Sequence, residues 1–257
     1  MNGVDTRTIL DRRAYFPRGL VQPESGYRFS LDSLLLASFA NVTRGQRGVD
    51  LGCGCGVIGL ALLLRQPGLR LTGIELNPHA VAAAEENAVN LHLTDKLTIR
   101  QGDVADWRPD GVVDFVVANP PYRKLGKGRA SAEADRRNAR FEGTGTFAAF
   151  ARCAAVALKT RGRFAFVHLP ERLPEIMTDL AEAGLTPKRL RMVHGKTDQE
   201  ARMVLMETVK AAGHGLRVEP PLILHEGTGK KTRLSGQALE FCPFLACNPK
   251  GDEEEET

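Results

Sequence analysis

From Arg47 onward, short apolar segments alternate with longer segments that carry a helical pattern of apolar residues. Two strands joined through a helix form a right-handed crossover, which makes those strands parallel. The last two apolar segments have no helix-length stretch between them, so they predict an antiparallel hairpin. The sequence therefore predicts a doubly wound α/β fold, with a mainly parallel seven-stranded sheet and an antiparallel closing hairpin strand. The predicted strands cover residues 49–51, 71–74, 97–100, 112–118, 162–168, 190–194 and 201–209, and the helices between them cover 57–65, 78–91, 146–158 and 171–183.

The sequence pattern divides the chain into three parts. Residues 1–46 predict an N-terminal extension made of a hairpin and, over 30–39, a helix. Residues 47–250 predict the α/β domain, in which one further short strand follows Pro221. Residues 251–257 contain five acidic residues and predict a disordered tail.

Composition limits the class of protein. The 257 residues are 42% hydrophobic, enough for one sizeable core, and no apolar run approaches the ~20 residues of a membrane span. The chain starts without an apolar segment of signal-peptide type, so a cytoplasmic location is predicted. The five cysteines lack a disulfide-scaffold spacing and no histidine pair has metal-ligand spacing, so no metal site is predicted. The formal charge of +4 becomes +9 without the acidic tail, which suggests a polyanionic partner.

A glycine-rich loop follows the first predicted strand, at the sheet edge where parallel sheets bind ligands. Asp50 lies in the last residues of the strand, and Gly52, Gly54 and Gly56 follow in the pattern D-x-G-x-G-x-G. Glycines at such a turn let backbone N–H groups approach a ligand closely. The spacing differs from the GxGxxG of nicotinamide and flavin binders, which favours a ligand without a pyrophosphate. The alternative interpretation of the loop is a simple turn.

Acidic residues also follow the second and third predicted strands. Glu75 ends the second strand, where a carboxylate can accept two hydrogen bonds from ribose hydroxyls. Asp103 follows the third, where it could accept a hydrogen bond from an exocyclic amine, and the adjacent Val104 could pack against a base. Each acid alone is more often a helix cap or a solvated turn. Together with Asp50 they favour a site for a nucleoside that carries a cationic amino-acid chain.

The fourth predicted strand ends in a stiff polar corner, Asn-Pro-Pro-Tyr. The Asn119 side-chain oxygen and the Pro120 backbone oxygen could accept hydrogen bonds from an amine and localise its lone pair on nitrogen. Pro120 and Pro121 fix φ, so these acceptors need not reorganise during a reaction. Tyr122 could stack on a flipped base. The alternative is an ordinary turn that an Asn-Pro pair initiates.

A basic stretch follows this corner. Residues 123–140 carry a net charge of +5, and Gly126 and Gly128 favour a mobile loop. Such a loop suits a phosphate backbone, and a solvated surface loop is the alternative. The candidate RNA-binding residues of the loop are Arg123, Lys124, Lys127, Arg129, Arg136 and Arg137, and Lys230, Lys231 and Arg233 could extend the basic surface.

The segments DLGCGCG, GIELNP and QGD resemble the cofactor motifs of class I methyltransferases that use S-adenosyl-L-methionine, over about residues 47–170. The resemblance implies a Rossmann-like domain that binds this cofactor. The positions implied to line the cofactor are Asp50, Gly52, Gly54 and Glu75, with Asp103 facing its adenine amine. Gly56, Val104 and Asn119 complete the candidate cofactor site.

The tetrapeptide NPPY resembles the [DNS]-P-P-[YFW] motif of amino-methyltransferases, which act on adenine N6, cytosine N4, guanine N2 or a protein glutamine amide. The motif does not choose among these acceptors. The order of segments over nearly the whole chain, with YRFSLDSLLLASFA before the glycine loop, resembles the bacterial family that methylates adenine N6 beside the anticodon of valine tRNA. That resemblance implies a tRNA partner, catalysis by Asn119, Pro120, Pro121 and Tyr122, and closure of Tyr27–Asp32 over the cofactor.

Other functions fit parts of the pattern. Guanine-N2 methyltransferases of ribosomal RNA can have a similar core. Protein-glutamine methyltransferases usually carry an N-terminal helical domain, for which the thirty residues before Leu31 are too few. The alternative of a different class is an RNA-binding protein without catalysis, which the intact Asn119–Tyr122 corner argues against. Asp32 is either a cofactor contact or a helix cap, and Trp107 packs either near the cofactor adenine or in the core.

Overall fold

The structure is a computed structural model that describes residues 12–23, 29–121 and 146–247. Tyr122, the candidate RNA-binding residues of the loop at 123–137, part of the predicted hairpin and the acidic tail lie outside the described residues. The described helices are α1 (Leu31–Phe39), α2 (Val57–Arg65), α3 (Pro78–Asn90), α4 (Phe147–Ala157), α5 (Leu173–Glu182) and α6 (Gly236–Phe241). None of these helices is long and apolar enough to span a bilayer.

The described strands are β1 (Arg47–Leu51), β2 (Arg70–Glu75), β3 (Leu97–Gln101), β4 (Val113–Ala118), β5 (Leu158–His168), β6 (Leu185–His194), β7 (Ala201–Lys210), β8 (Arg217–Val218), β9 (Leu222–Ile223), β10 (His225–Glu226) and β11 (Arg233–Leu234). The main sheet has the order β3-β2-β1-β4-β5-β7-β6-β8, and β9 also pairs with β6. Strands β1 to β5 are mutually parallel, whereas β7 is antiparallel to both of its neighbours. The predicted fold class and the closing hairpin are confirmed.

The strand count differs from the prediction. The sheet has nine strands rather than seven over the described residues, because β8 and β9 pair with the outer edge of β6. The short strand predicted after Pro221 is β9. Both residues of β8 are exposed, so it has no buried apolar side chain to mark it in the sequence, whereas Leu222 of β9 is buried.

Alternate residues of the central strand β4 face two separate apolar layers. Phe115 and Val117 pack with residues of α1, α2 and α3 on one face of the sheet. Val116 and Ala118 pack with residues of α4 and α5 on the other face. Helices on both faces bury a parallel sheet completely, and leave the ends of its strands as the place where a ligand can bind.

The N-terminal segment packs on the same core. Phe16 is 2% exposed, and the centre of its ring lies 5.2 Å from that of Phe244. The guanidinium of Arg13 donates hydrogen bonds to the backbone oxygen of Leu91, 3.0 Å from Nε and 2.6 Å from Nη2, just after α3. The described part of the extension is therefore attached to the α/β layers, and the predicted domain boundaries stay a prediction.

Candidate functional site

The glycine loop leaves the sheet between β1 and α2 in a conformation that needs its glycines. Gly52, Gly54 and Gly56 have φ of 67°, 56° and 84°, in the left-handed region that other residues rarely adopt. The N–H groups of Gly52 and Cys53 donate to the backbone oxygen of Ile74 at 2.8 and 3.0 Å, which ties the loop to the end of β2. A Cβ built on Gly54 would meet nothing within 4 Å. The loop therefore presents open space above Gly54.

Asp50 lies under this loop with only one of its two oxygens satisfied. It is 0% exposed, and its Oδ2 accepts a hydrogen bond from the N–H of Gly59 at 3.1 Å. Its Oδ1 is buried and has no hydrogen-bond partner among the described residues. Burial raises the pKa of Asp50 to about 7, the N–H of Gly59 opposes the rise, and the charge of Glu75 adds to it. Oδ1 is thus a buried acceptor for which the described residues supply no donor.

Glu75, at the end of β2, contacts the same loop. Its Oε2 accepts a hydrogen bond from the N–H of Gly54 at 2.9 Å, and its Oε1 accepts one from the N–H of Asn77 at 2.8 Å. The side chain of Asn77 in turn caps α3 by accepting from the N–H of His79 at 2.9 Å. The structure therefore brings the carboxylate predicted to bind ribose next to the glycine predicted to cradle the ligand.

The segment after β3 continues this edge of the sheet. The N–H of Gly102 donates to the backbone oxygen of Glu75 at 2.9 Å, which sets Asp103 beside the end of β2. Asp103 Oδ1 accepts a hydrogen bond from the N–H of Ala105 at 2.9 Å. Val104 is 7% exposed and belongs to an apolar cluster on which the partly buried Trp107 packs. Trp107 therefore packs on the same apolar cluster as Val104, the residue predicted to contact the adenine.

Asn119 and Pro120 follow β4 at the same edge. Leu51 pairs with Ala118, so the glycine loop and the corner leave adjacent parallel strands side by side. Asn119 is half-buried, Pro120 is buried and Pro121 is exposed. The Asn119 Nδ2 donates a hydrogen bond to Ser33 Oγ at 3.0 Å. Five predicted site residues from four successive strands (Asp50, Glu75, Asp103, Val104 and Asn119) thus lie along one edge.

Sequence reasoning missed two buried polar side chains that support this edge. Ser33, on α1, contacts Asn119 as described above. Asn87, on α3, accepts from the N–H of Val21 at 2.8 Å and donates to the backbone oxygens of Val21 and Cys55 at 2.9 and 3.0 Å. Asn87 therefore joins the N-terminal segment to the glycine loop. The available signal was a polar residue at a buried helix position in each case.

The described residues contain no cluster of three or more histidine, cysteine, aspartate or glutamate side chains that could hold a metal ion. His168, at the end of β5, is 3% exposed, and burial lowers its pKa to about 4, with the charge of Arg172 adding to the effect. Its Nδ1 accepts a hydrogen bond from the N–H of Leu169 at 2.8 Å, which fits a neutral ring.

Comparison with known proteins places the chain in a family. The sequence profile of the methyltransferase small domain family matches residues 28–171. A protein from Vibrio campbellii, named tRNA1(Val) (adenine(37)-N6)-methyltransferase, is 25% identical over 218 residues, which cover 85% of this chain and 90% of that protein. A protein of the same name from Escherichia coli O1:K1 is 30% identical over 175 residues, covering 67% of this chain and 69% of that protein.

A solved structure shows the same fold. The crystal structure of a predicted O-methyltransferase from Agrobacterium tumefaciens superposes with a TM-score of 0.68 and 20% sequence identity. The match covers 83% of this chain and 96% of that one. The identity is low, so this likeness supports the architecture and carries no statement about the acceptor.

The fold, the sheet edge and these matches together define an S-adenosyl-L-methionine-dependent methyltransferase. Within that class, the chain belongs to the methyltransferase small domain family, whose profile spans more than half of its residues. The residues present fit this cofactor. The space above Gly54 admits a ligand close to the backbone, and the buried Asp50 Oδ1 can accept a hydrogen bond from a cationic group.

Proposed function

We propose that this methyltransferase modifies N6 of an adenine in tRNA. The observation that carries the proposal is the position of Asn119, which leaves β4 beside the glycine loop that follows β1. An acceptor amine held at Asn119 would then lie next to a cofactor held at the loop. The two relatives described above, whose names specify adenine N6 of a tRNA, supply the choice of acceptor.

In this proposal the corner after β4 activates the acceptor amine. The nitrogen of an aromatic amine is a poor nucleophile, because its lone pair is delocalised into the ring. Hydrogen bonds from the amine to Asn119 Oδ1 and the Pro120 backbone oxygen localise that lone pair. The prolines keep both acceptors in place, so they stabilise the developing charge without reorganising. Tyr122 stacks on the base, and positioning supplies much of the remaining rate.

In this proposal each cofactor-binding residue contacts a different part of the cofactor. When bound, the cofactor supplies a methyl group on a sulfonium, which the amine takes by in-line displacement. Asp50 accepts a hydrogen bond from the cationic amino-acid part, directly or through water. Glu75 binds the ribose hydroxyls, and Asp103 accepts from the adenine amine while Val104 packs against the ring. The methylated amine is acidic and releases its proton to solvent.

Described basic residues support an RNA partner independently of the loop at 123–137. β6 runs parallel to β5, so the segment after His194 lies at the same edge of the sheet as Asn119. The hairpin β10–β11 is attached there, because the N–H of His225 donates to the backbone oxygen of Gly195 at 2.9 Å. This hairpin carries the exposed Lys231 and Arg233, with Arg233 also paired to Glu226. Three strand spacings separate β6 from β4, about 14 Å.

Reversing the charge of Lys231 and Arg233 to glutamate is expected to weaken tRNA binding about tenfold at moderate salt, because each residue neutralises a phosphate. The dependence of log K on log salt should become shallower, while S-adenosyl-L-methionine affinity stays unchanged. Fluorescence anisotropy with labelled tRNA over a salt series measures both effects. Arg47→Glu with Arg70→Glu is the matched control, since these exposed residues begin β1 and β2 at the opposite edge. An equal loss of tRNA affinity in the two double variants would contradict a direct contact between tRNA and the β10–β11 hairpin.

The experiment that tests the proposed function is methyl transfer from labelled S-adenosyl-L-methionine to total tRNA, with nucleoside analysis by mass spectrometry. Label in N6-methyladenosine supports the proposal, and the modified tRNA and position can then be mapped. Label in N2-methylguanosine would be consistent with amine activation at the corner after β4, but it would contradict adenine N6 as the acceptor. No label in tRNA would direct the search to ribosomal RNA and then to protein glutamine. Binding of tRNA without transfer to any of these acceptors would favour the non-catalytic alternative.

A further inference from the structure

Ser33 lies where the N-terminal helix meets the catalytic corner. It is 3% exposed, and its Oγ is 3.0 Å from Asn119 Nδ2. The three residues after it, Leu34, Leu35 and Leu36, are each 0% exposed and fix α1 in the core. The N–H of Ser33 donates to the backbone oxygen of Ser30 at 3.2 Å, so the first turn of the helix is also formed. The hydroxyl is therefore held by a rigid element, 86 residues away in sequence from the side chain it contacts.

The two ends of the Asn119 amide are chemically opposite. Nδ2 is a donor of hydrogen bonds and Oδ1 is an acceptor, and the proposed chemistry uses Oδ1 to accept from the substrate amine. An amide rotated by about 180° would present its own N–H groups to the amine and repel it. A hydrogen bond from Nδ2 to Ser33 turns Oδ1 away from α1.

We propose that Ser33 is a positioning residue that holds the Asn119 side chain in place at the end of β4, with Nδ2 toward α1 and Oδ1 on the side of the acceptor amine. The proposal rests on the proposed function for the role of Asn119. Ser33 itself acts only through Asn119. The contact comes from the helix preceding the glycine loop, so the N-terminal part of the chain contributes to the chemistry at the end of β4.

The test measures turnover and substrate binding separately. Ser33→Ala in the otherwise unchanged enzyme should lower kcat about tenfold, with KM for tRNA and for S-adenosyl-L-methionine within about twofold. Ser33→Thr, which keeps the hydroxyl, should restore most of kcat.

A merely structural role for Ser33 predicts another pattern. Ser33→Ala would then raise KM together with a lower melting temperature, or Ser33→Thr would fail to restore kcat, and either result overturns the proposal. Ser38→Ala is the matched control, because Ser38 is half-buried on the same helix and its backbone oxygen accepts from Arg65 at 2.6 Å. That variant should keep the wild-type kcat.

A second measurement separates this inference from the proposed function. The side-chain NH2 signals of asparagine are observed by NMR in protein labelled with ¹⁵N-asparagine, and the pair lost in Asn119→Asp is assigned to Asn119. Slow hydrogen exchange of this pair that becomes faster in Ser33→Ala supports the contact whatever the acceptor is. Unchanged exchange overturns the inference even in an active enzyme, whereas absence of N6-methyladenosine overturns only the proposed acceptor.

Discussion

Asn119→Ala is expected to lower kcat about a hundredfold or more, while tRNA and S-adenosyl-L-methionine affinities stay within about threefold. The substitution removes one of the two acceptors that localise the lone pair of the amine, and such acceptors act mainly in the transition state. Asn119 is half-buried at the end of β4 and only its side chain is lost, so the sheet should remain folded. Single-turnover methyl transfer and anisotropy binding curves measure the two quantities.

Two further variants test whether the loss of activity comes from the loss of the acceptor oxygen. Asn119→Asp keeps acceptor oxygens in place and should retain far more activity than the alanine variant. Asn41→Ala is the matched control, because Asn41 is exposed in the loop between α1 and β1, at the opposite edge of the sheet. An alanine variant at 119 that transfers methyl groups at close to the wild-type rate would refute the proposed role of the corner.

The fold could be predicted because each long element has a local signal. The predicted helix over 57–65 coincides with α2, and the one over 78–91 differs from α3 by one residue. The parallel topology also predicts which residues of the site lie close together. Strands that run parallel end at one edge, so acids at successive strand ends must come together. The hydrogen bonds from Gly54 to Glu75 and from Gly102 to the backbone of Glu75 are the result.

The parts that could not be predicted depend on contacts between distant segments. Ser33 and Asn119 are 86 residues apart, and Asn87 and Val21 are 66 apart. Each contact depends on how a helix packs, and periodicity fixes only which face of a helix is buried. A buried serine or asparagine implies a hydrogen-bond partner but does not identify it. The roles of Tyr122 and of the loop at 123–137 stay predictions, because these residues lie outside the part of the chain that the structure describes.

The second large effect concerns Asp50, whose raised pKa couples ionisation to ligand binding. In the cofactor-free protein, burial holds the pKa at about 7. A cation beside Oδ1 would stabilise the carboxylate and lower that pKa, so binding would release a proton below about pH 7. We therefore expect the affinity for S-adenosyl-L-methionine to rise by up to about tenfold per pH unit below pH 7 and to level off above it.

Asp50→Asn should weaken the cofactor about 10- to 100-fold at pH 8, the loss expected for a charge-assisted hydrogen bond, and should flatten the pH dependence. The amino group of the cofactor also titrates, so the difference between the two curves isolates Asp50. Isothermal titration calorimetry in buffers of different ionisation enthalpy counts the released protons. Asp114→Asn is the control, because Asp114 binds the N–H of Arg47 at 2.8 Å at the opposite edge.

Asp50→Asn should weaken cofactor binding but raise the stability of the cofactor-free protein at pH 8. The folded-state pKa of Asp50 is raised above its unfolded value of 3.8, so its contribution to stability is complete below about pH 4 and is lost as pH rises through about 7. The cofactor-free Asp50→Asn variant should therefore melt at a higher temperature than the wild type at pH 8, with a smaller difference at pH 5. A variant that binds the cofactor weakly yet is more stable without it would show that the buried carboxylate is retained for binding. Lower stability at both pH values would mean that Asp50 mainly holds α2 through Gly59.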